Sequence, residues 1–212
     1  FIVLITAFAL AYRRERPVSP LFATALLVVV LLQGMLGAFT VWWLVKPLVV
    51  VLHLTGGLTT LSLLTWLWLD MRRRTKLVSP PPGATKIAVL DAARRMAIVA
   101  TVVVSLQIML GGWTSSNYAA VACPDLPQCQ NQWWPEGMNF DEAFVLWRGL
   151  DINYTGGVLE HPSRVAIHFT HRLGAIIATL AVLALFEHLL MILPVPAETL
   201  WRWSLANRRS SP

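Results

Sequence analysis

The sequence predicts an all-α membrane protein: a transmembrane helical bundle with internally repeated helix pairs, four full spans and a partial N-terminal span. Three observations predict it. Of the 212 residues, 56% are hydrophobic and only 13% charged, with a mean hydropathy of +0.61, whereas a soluble globular domain carries about 25% charged residues. The apolar residues are gathered into runs of about twenty or more, the length of helix that crosses a hydrocarbon core. A short segment also recurs near the same end of two of those runs. This composition excludes an ordinary water-soluble enzyme, a disordered tail and a free nucleic-acid-binding domain, despite a net charge of +6.

The elements follow in order. Phe1 to Tyr12 is apolar and stops at Arg13, Arg14 and Arg16. As a helix it covers only ~18 Å, short of the ~30 Å core, so it is read as the end of a spanning helix and the sequence as a fragment. The full spans run from Leu21 to Val45, Pro47 to Leu69, Ala97 to Tyr118 and Pro162 to Ile192. A helix satisfies its own backbone in lipid, which makes a helical bundle the default. The expected organisation is a first part over residues 1–70, a linker over 71–95 around Pro80-Pro81-Pro82-Gly83, and a second part over 96–192. That second part carries a long loop over 116–160, and a tail over 193–212 follows it.

Basic residues orient the spans. Arg13, Arg14, Arg16, Arg72, Arg73, Arg74, Lys76, Lys86, Arg94, Arg95, Arg202, Arg208 and Arg209 make up 13 of the 17 Lys and Arg, and alternate loops place them on one side. That side is expected to be cytoplasmic and the 116–160 loop to face outward, with the lipid bilayer, not nucleic acid, as the partner of the basic runs.

Leu32-Gln-Gly-Met-Leu-Gly-Ala-Phe-Thr40 aligns with Leu106-Gln-Ile-Met-Leu-Gly-Gly-Trp-Thr114. Each copy sits near the end of one span and is followed by a loop and an incoming span that carries histidine, the pattern of a duplicated helix pair. Gly37 and Gly111 fit close helix packing, or the approach of a flat cofactor to the backbone.

Ionisable residues at membrane depth are costly and mark function. His53 lies roughly 9 Å along its helix from Pro47 and His171 roughly 13.5 Å from Pro162, so both sit in the outer half of the bilayer. A neutral imidazole in an apolar pocket is a good axial ligand for haem iron, and both are candidate iron ligands; the alternative is a packing histidine bonded to a neighbouring helix. His168 shares a face with His171 and is a candidate second ligand, proton relay or polar neighbour of a haem edge. Arg172 calls for a partner: a buried carboxylate such as a haem propionate, or a carbonyl or water. His161 and His188 read as interfacial and structural. Zinc is disfavoured, since three or four ligands would have to converge.

Cys123 and Cys129 lie in the outward loop, an oxidising setting in which a disulfide is expected. The pair serves as a staple or takes part in electron delivery.

Together these residues resemble the heme A synthase family. The resemblance is carried by Gln33-Gly-Met-Leu-Gly37 with Thr40-Val41, Lys46-Pro47 leading to His53, Gln107-Ile-Met-Leu-Gly111-Gly112, Cys123 to Cys129 with Gln132-Trp-Trp-Pro135, and His168-Phe-Thr-His171-Arg172. It implies two four-helix halves, the first and last helices of which are not present here. It implies a membrane oxidoreductase of the bacterial plasma membrane that oxidises the C8 methyl of heme O to a formyl group. One half would hold a haem b cofactor and the other the substrate heme O, each on histidines of its own half. His53 resembles the last ligand of the first half and His171 the first ligand of the second; His168 and Arg172 join the cofactor-binding set. Heme O synthase and cytochrome oxidase assembly factors are the implied protein partners, and an oligomer is compatible. The competing expectations are a b-type cytochrome electron carrier, with His53 and His171 on one haem, and a non-enzymatic haem-binding assembly protein.

Overall fold

The structure, a computed structural model, describes residues 2–12, 19–74, 84–149 and 152–192. The elements are α1 (Ile2–Ala11), α2 (Pro20–Trp42), α3 (Pro47–Arg74), α4 (Ala84–Ser116), α5 (Phe140–Ala143) and α6 (His161–Ile192). Among the described residues there is no strand beyond an isolated bridge between Cys129 and Gln132. Among the described residues four helices, α2, α3, α4 and α6, are long and apolar enough to cross a membrane, and the chain is a multi-pass membrane protein. Arg13, Arg14, Arg16, Lys76, Arg202, Arg208, Arg209, the Pro-rich stretch and the 193–212 tail lie outside the described residues.

Helix ends follow local chemistry more than hydropathy. Pro20 opens α2 and Pro47 opens α3, where a missing N–H costs nothing and the fixed φ suits the first turn. The first span ends at Trp42, earlier than its apolar run. Trp43 N–H bonds Phe39 O and Val45 N–H bonds Thr40 O, and the chain then turns with Leu44 and Val45 in the left-handed region, at φ 49° and 62°. At the opposite ends, α3 runs to Arg74 and α4 starts at Ala84, so helix extends from both sides into the segment read as a linker. The charged residues there end the lipid-facing stretch, but Arg, Met and Ala remain good helix formers.

The Cα trace divides into two compact units, residues 1–79 with 105–175, and residues 80–104 with 176–212. In the first unit, α1 packs on α2 through Ala9 and Ala23, and Thr6 Oγ1 donates to Ala23 O at 3.1 Å. Its largest core lies where the long α4–α6 loop folds onto helix ends, with Val51, Trp113, Ala119, Ala143, Leu159, Ala166 and Ile167 buried together. Trp113 Nε1 donates to Ala143 O at 2.9 Å, which fixes α5 against α4. In the second unit the α6 residues Ile176, Ile177, Leu180, Leu183 and Phe186 are exposed, as befits a lipid-facing helix surface.

Candidate functional site

The recurring segment and the histidines are two parts of one device. On α2, Gln33 and Gly37 are four residues apart and share a face; on α3, His53 and Gly56 are three apart and share another. The two faces interlock. A Cβ built on Gly37 would stand 3.1 Å from His53 Cε1, and one on Gly56 would overlap the Gln33 amide. The histidine ring occupies the space left by one glycine, and the glutamine side chain the space left by the other. The second helix pair repeats this. A Cβ on Gly111 of α4 would stand 3.2 Å from His171 Cε1, and one on Gly174 of α6 would overlap Gln107 Oε1. Sequence reading found His53, His171, Gln33, Gln107, Gly37 and Gly111 but missed Gly56 and Gly174. Their signal was present, since His-x-x-Gly occurs in both incoming spans.

Each ring is bonded within its own pair. His53 Nδ1 donates to Gln33 O at 3.1 Å, and Gln107 Nε2 donates to His171 Nδ1 at 2.9 Å. On the flank of α3 that meets α4, Val51 and Leu54 face Gly112, where a Cβ would come within 2.9 Å of Leu54. His53 is exposed and His171 half-buried.

Beside His53 lies a cavity of about 520 Å³ lined by Thr40, Val41, Leu44, Val45, Val50, His53 and Thr155. Its walls are mainly aliphatic, and Thr40 spends its hydroxyl on Gly37 O at 2.6 Å. The left-handed pair Leu44 and Val45 forms part of the rim, and strain of this kind persists only where surrounding contacts enforce it. Those contacts come from the long loop. Tyr154 N–H donates to Leu44 O at 3.2 Å, and Lys46, 1% exposed, donates to Gly149 O and lies 3.3 Å from the Trp147 ring centroid. Trp43 meets Trp147 edge-on and stacks on Phe39.

His168 and Arg172 engage the disulfide loop. Cys123 and Cys129 form a disulfide with Cα atoms 4.7 Å apart, and the loop they close docks on α6. Arg172 Nη1 donates to Asp125 O and Gln128 O, both at 2.7 Å, and Nη2 to Cys123 O at 2.6 Å. Arg172 Nε faces His168 Nε2 at 3.3 Å, while Cys123 N–H bonds His168 Nδ1 at 3.2 Å. Backbone carbonyls, one kind of partner open to Arg172 from sequence, accept from its guanidinium. Asp125 accepts from Asn131 N–H and Gln130 N–H at 2.8 and 2.7 Å. These bonds, that from Asn131 foremost, hold its carboxyl below the usual carboxylate range despite some desolvation. Burial pushes the Tyr154 hydroxyl up.

Residues 1–205 match the family model described as "Cytochrome oxidase assembly protein", COX15-CtaA. A heme A synthase of Shewanella oneidensis is 40% identical over 173 residues, covering 82% of this chain and 49% of that protein. A heme A synthase of Rhizorhabdus wittichii is 27% identical over 164 residues, covering 72% of this chain and 40% of that protein. The chain thus spans about half the length, or less, of these relatives. No solved structure matches it.

Proposed function

Because the chain belongs to the cytochrome oxidase assembly protein family, we propose that it serves heme A synthesis as a haem-modifying oxidoreductase. The C8 methyl of heme O is oxidised to a formyl group, with haem b as cofactor. The observation that carries this reading is the repeated interlock of Gln, Gly, His and Gly, which presents one imidazole at the seam of each helix pair. Housing His53 and His171 in separate pairs supports two sites over one haem shared between them.

The residues at the first site fit a haem. A backbone carbonyl accepts from His53 Nδ1, so Nε2 keeps its lone pair, and such a bond also fixes ring orientation in haem and metal sites. Gly37 sets no Cβ against the ring, and the neighbouring cavity is broad and largely aliphatic. At the second site, Gly111 leaves the same space beside His171. Haem iron, when bound, supplies the one-electron chemistry; the chain's tasks are to ligate, orient and exclude water. Val41, Leu44, Val45 and Val50 give His53 an aliphatic wall, and Lys46 with Tyr154 holds their rim. Arg172 and His168 fix the disulfide loop next to His171.

We place the protein in a bacterial plasma membrane, with the basic helix ends cytoplasmic and the disulfide loop outside. The functional test is chromatography of extracted haems from cells that depend on the gene encoding this chain. His53→Ala and His171→Ala are each expected to abolish heme A and leave heme O. Normal heme A levels in either variant would refute the role of that histidine.

A further inference from the structure

The two copies of the interlock differ in one respect that changes their chemistry. At His53 the partner of Nδ1 is the backbone carbonyl of Gln33. A carbonyl only accepts, so Nδ1 carries the ring hydrogen and Nε2 is bare. At His171 the partner of Nδ1 is the side-chain Nε2 of Gln107, at 2.9 Å, and that same nitrogen lies 2.9 Å from the carbonyl oxygen of His171. An amide NH2 group only donates. Nδ1 of His171 therefore accepts, and the neutral ring carries its hydrogen on Nε2. Turning the amide over would set Oε1 against the His171 carbonyl, acceptor against acceptor, so the hydrogen-bond network selects the donating orientation. Gln107 Oε1 is left buried with no hydrogen-bond partner among the described residues, wedged against Gly174. Gln33 puts its side chain in the matching notch at Gly56 but leaves the histidine to its backbone.

We propose that Gln107 is a positioning residue that holds His171 in the tautomer unable to ligate iron, so that two repeat-equivalent imidazoles meet haem unequally. His53 offers a bare Nε2 at once; His171 offers one only after Gln107 releases Nδ1. The proposal rests on the haem-ligand reading of both histidines. It gives Gln107 the opposite sign from the usual partner of a ligating histidine, which accepts from the ring N–H and strengthens ligation.

The test is NMR of nitrogen-labelled histidine in the haem-free full chain in detergent micelles, followed by titration with ferric haem b. The hydrogen is expected on Nδ1 at His53 and on Nε2 at His171. In Gln107→Met, which keeps the length and loses the amide, His171 is expected to become a mixture of tautomers while His53 is unchanged. Gln107→Leu answers the same question should methionine crowd Gly174. In a His53→Ala background, Gln107→Met is expected to bind ferric haem about tenfold tighter, the lower end of the effects seen for such partners. The same tautomer at both histidines, or weaker or unchanged haem binding by Gln107→Met, overturns the proposal. If His171→Ala leaves haem binding of the parent chain unaltered, it is the ligand reading of His171 that fails, and the NMR comparison still decides what Gln107 does.

Discussion

Glycine decides where the imidazoles can stand. Gly37 faces the His53 ring, whereas Gly34, on the same helix, has open space where a Cβ would be. Gly37→Val is therefore expected to drive branched methyls into the ring and cost about 1–3 kcal/mol, the usual range for overpacking, while Gly34→Val is tolerated. Thermal unfolding in detergent checks both, and equal melting temperatures for the two variants would contradict the ring contact. Val45 makes the converse prediction. It is β-branched and left-handed at φ 62°, a conformation glycine adopts freely. Val45→Gly is expected to raise stability by about 1 kcal/mol, at the low end of the strain stored at such positions, in the same unfolding measurement.

At the scale of elements, the long loop is not an appendage of α4 and α6. It braces the rim beside His53 and, through its disulfide segment, docks on α6 next to His171. Arg172 holds that segment with a planar fork that lysine cannot reproduce. Arg172→Lys is expected to cost about 2 kcal/mol locally, in the range of hydrogen bonds to a charged group, and to speed reduction of Cys123–Cys129 by dithiothreitol. Acid acts on the same loop through Asp125. Its carboxyl is held below the ordinary value in the fold, so its contribution is full above the unfolded pKa of about 3.9. It is lost as pH falls through the lower folded value. Hydrogen exchange at the Gln130 and Asn131 amides is expected to accelerate relative to other loop amides below about pH 4, and Asp125→Asn to flatten that dependence. Much of this loop was illegible in the sequence. Its cysteines announced a disulfide, but carbonyls that converge on Arg172 come from the fold of the backbone, which leaves no residue signature. Nothing in the sequence marks Lys46 for burial, and only the structure places it under Trp147.

For the whole molecule, the spans were legible because lipid admits few solutions: most of a run such as Leu21 to Val45 must be helix, and here the helix extends to Trp42. The repeat was legible because Gln and Thr recur at fixed offsets in an otherwise apolar background. The pairing of each histidine with a glycine of the neighbouring helix was half legible, through Gly37 and Gly111, while Gly56 and Gly174 passed as ordinary small residues. The tautomers were beyond sequence, since they hang on whether a backbone carbonyl or a side-chain amide meets the ring. With one imidazole housed in each helix pair, the two are expected to act independently. Haem stoichiometry by pyridine haemochrome on purified parent chain, His53→Ala and His171→Ala after loading with haem b tests this most directly. Each single variant is expected to lose its own site and retain the other, and the double variant to lose both. Loss of all haem from either single lesion, or no loss from both together, would contradict the account.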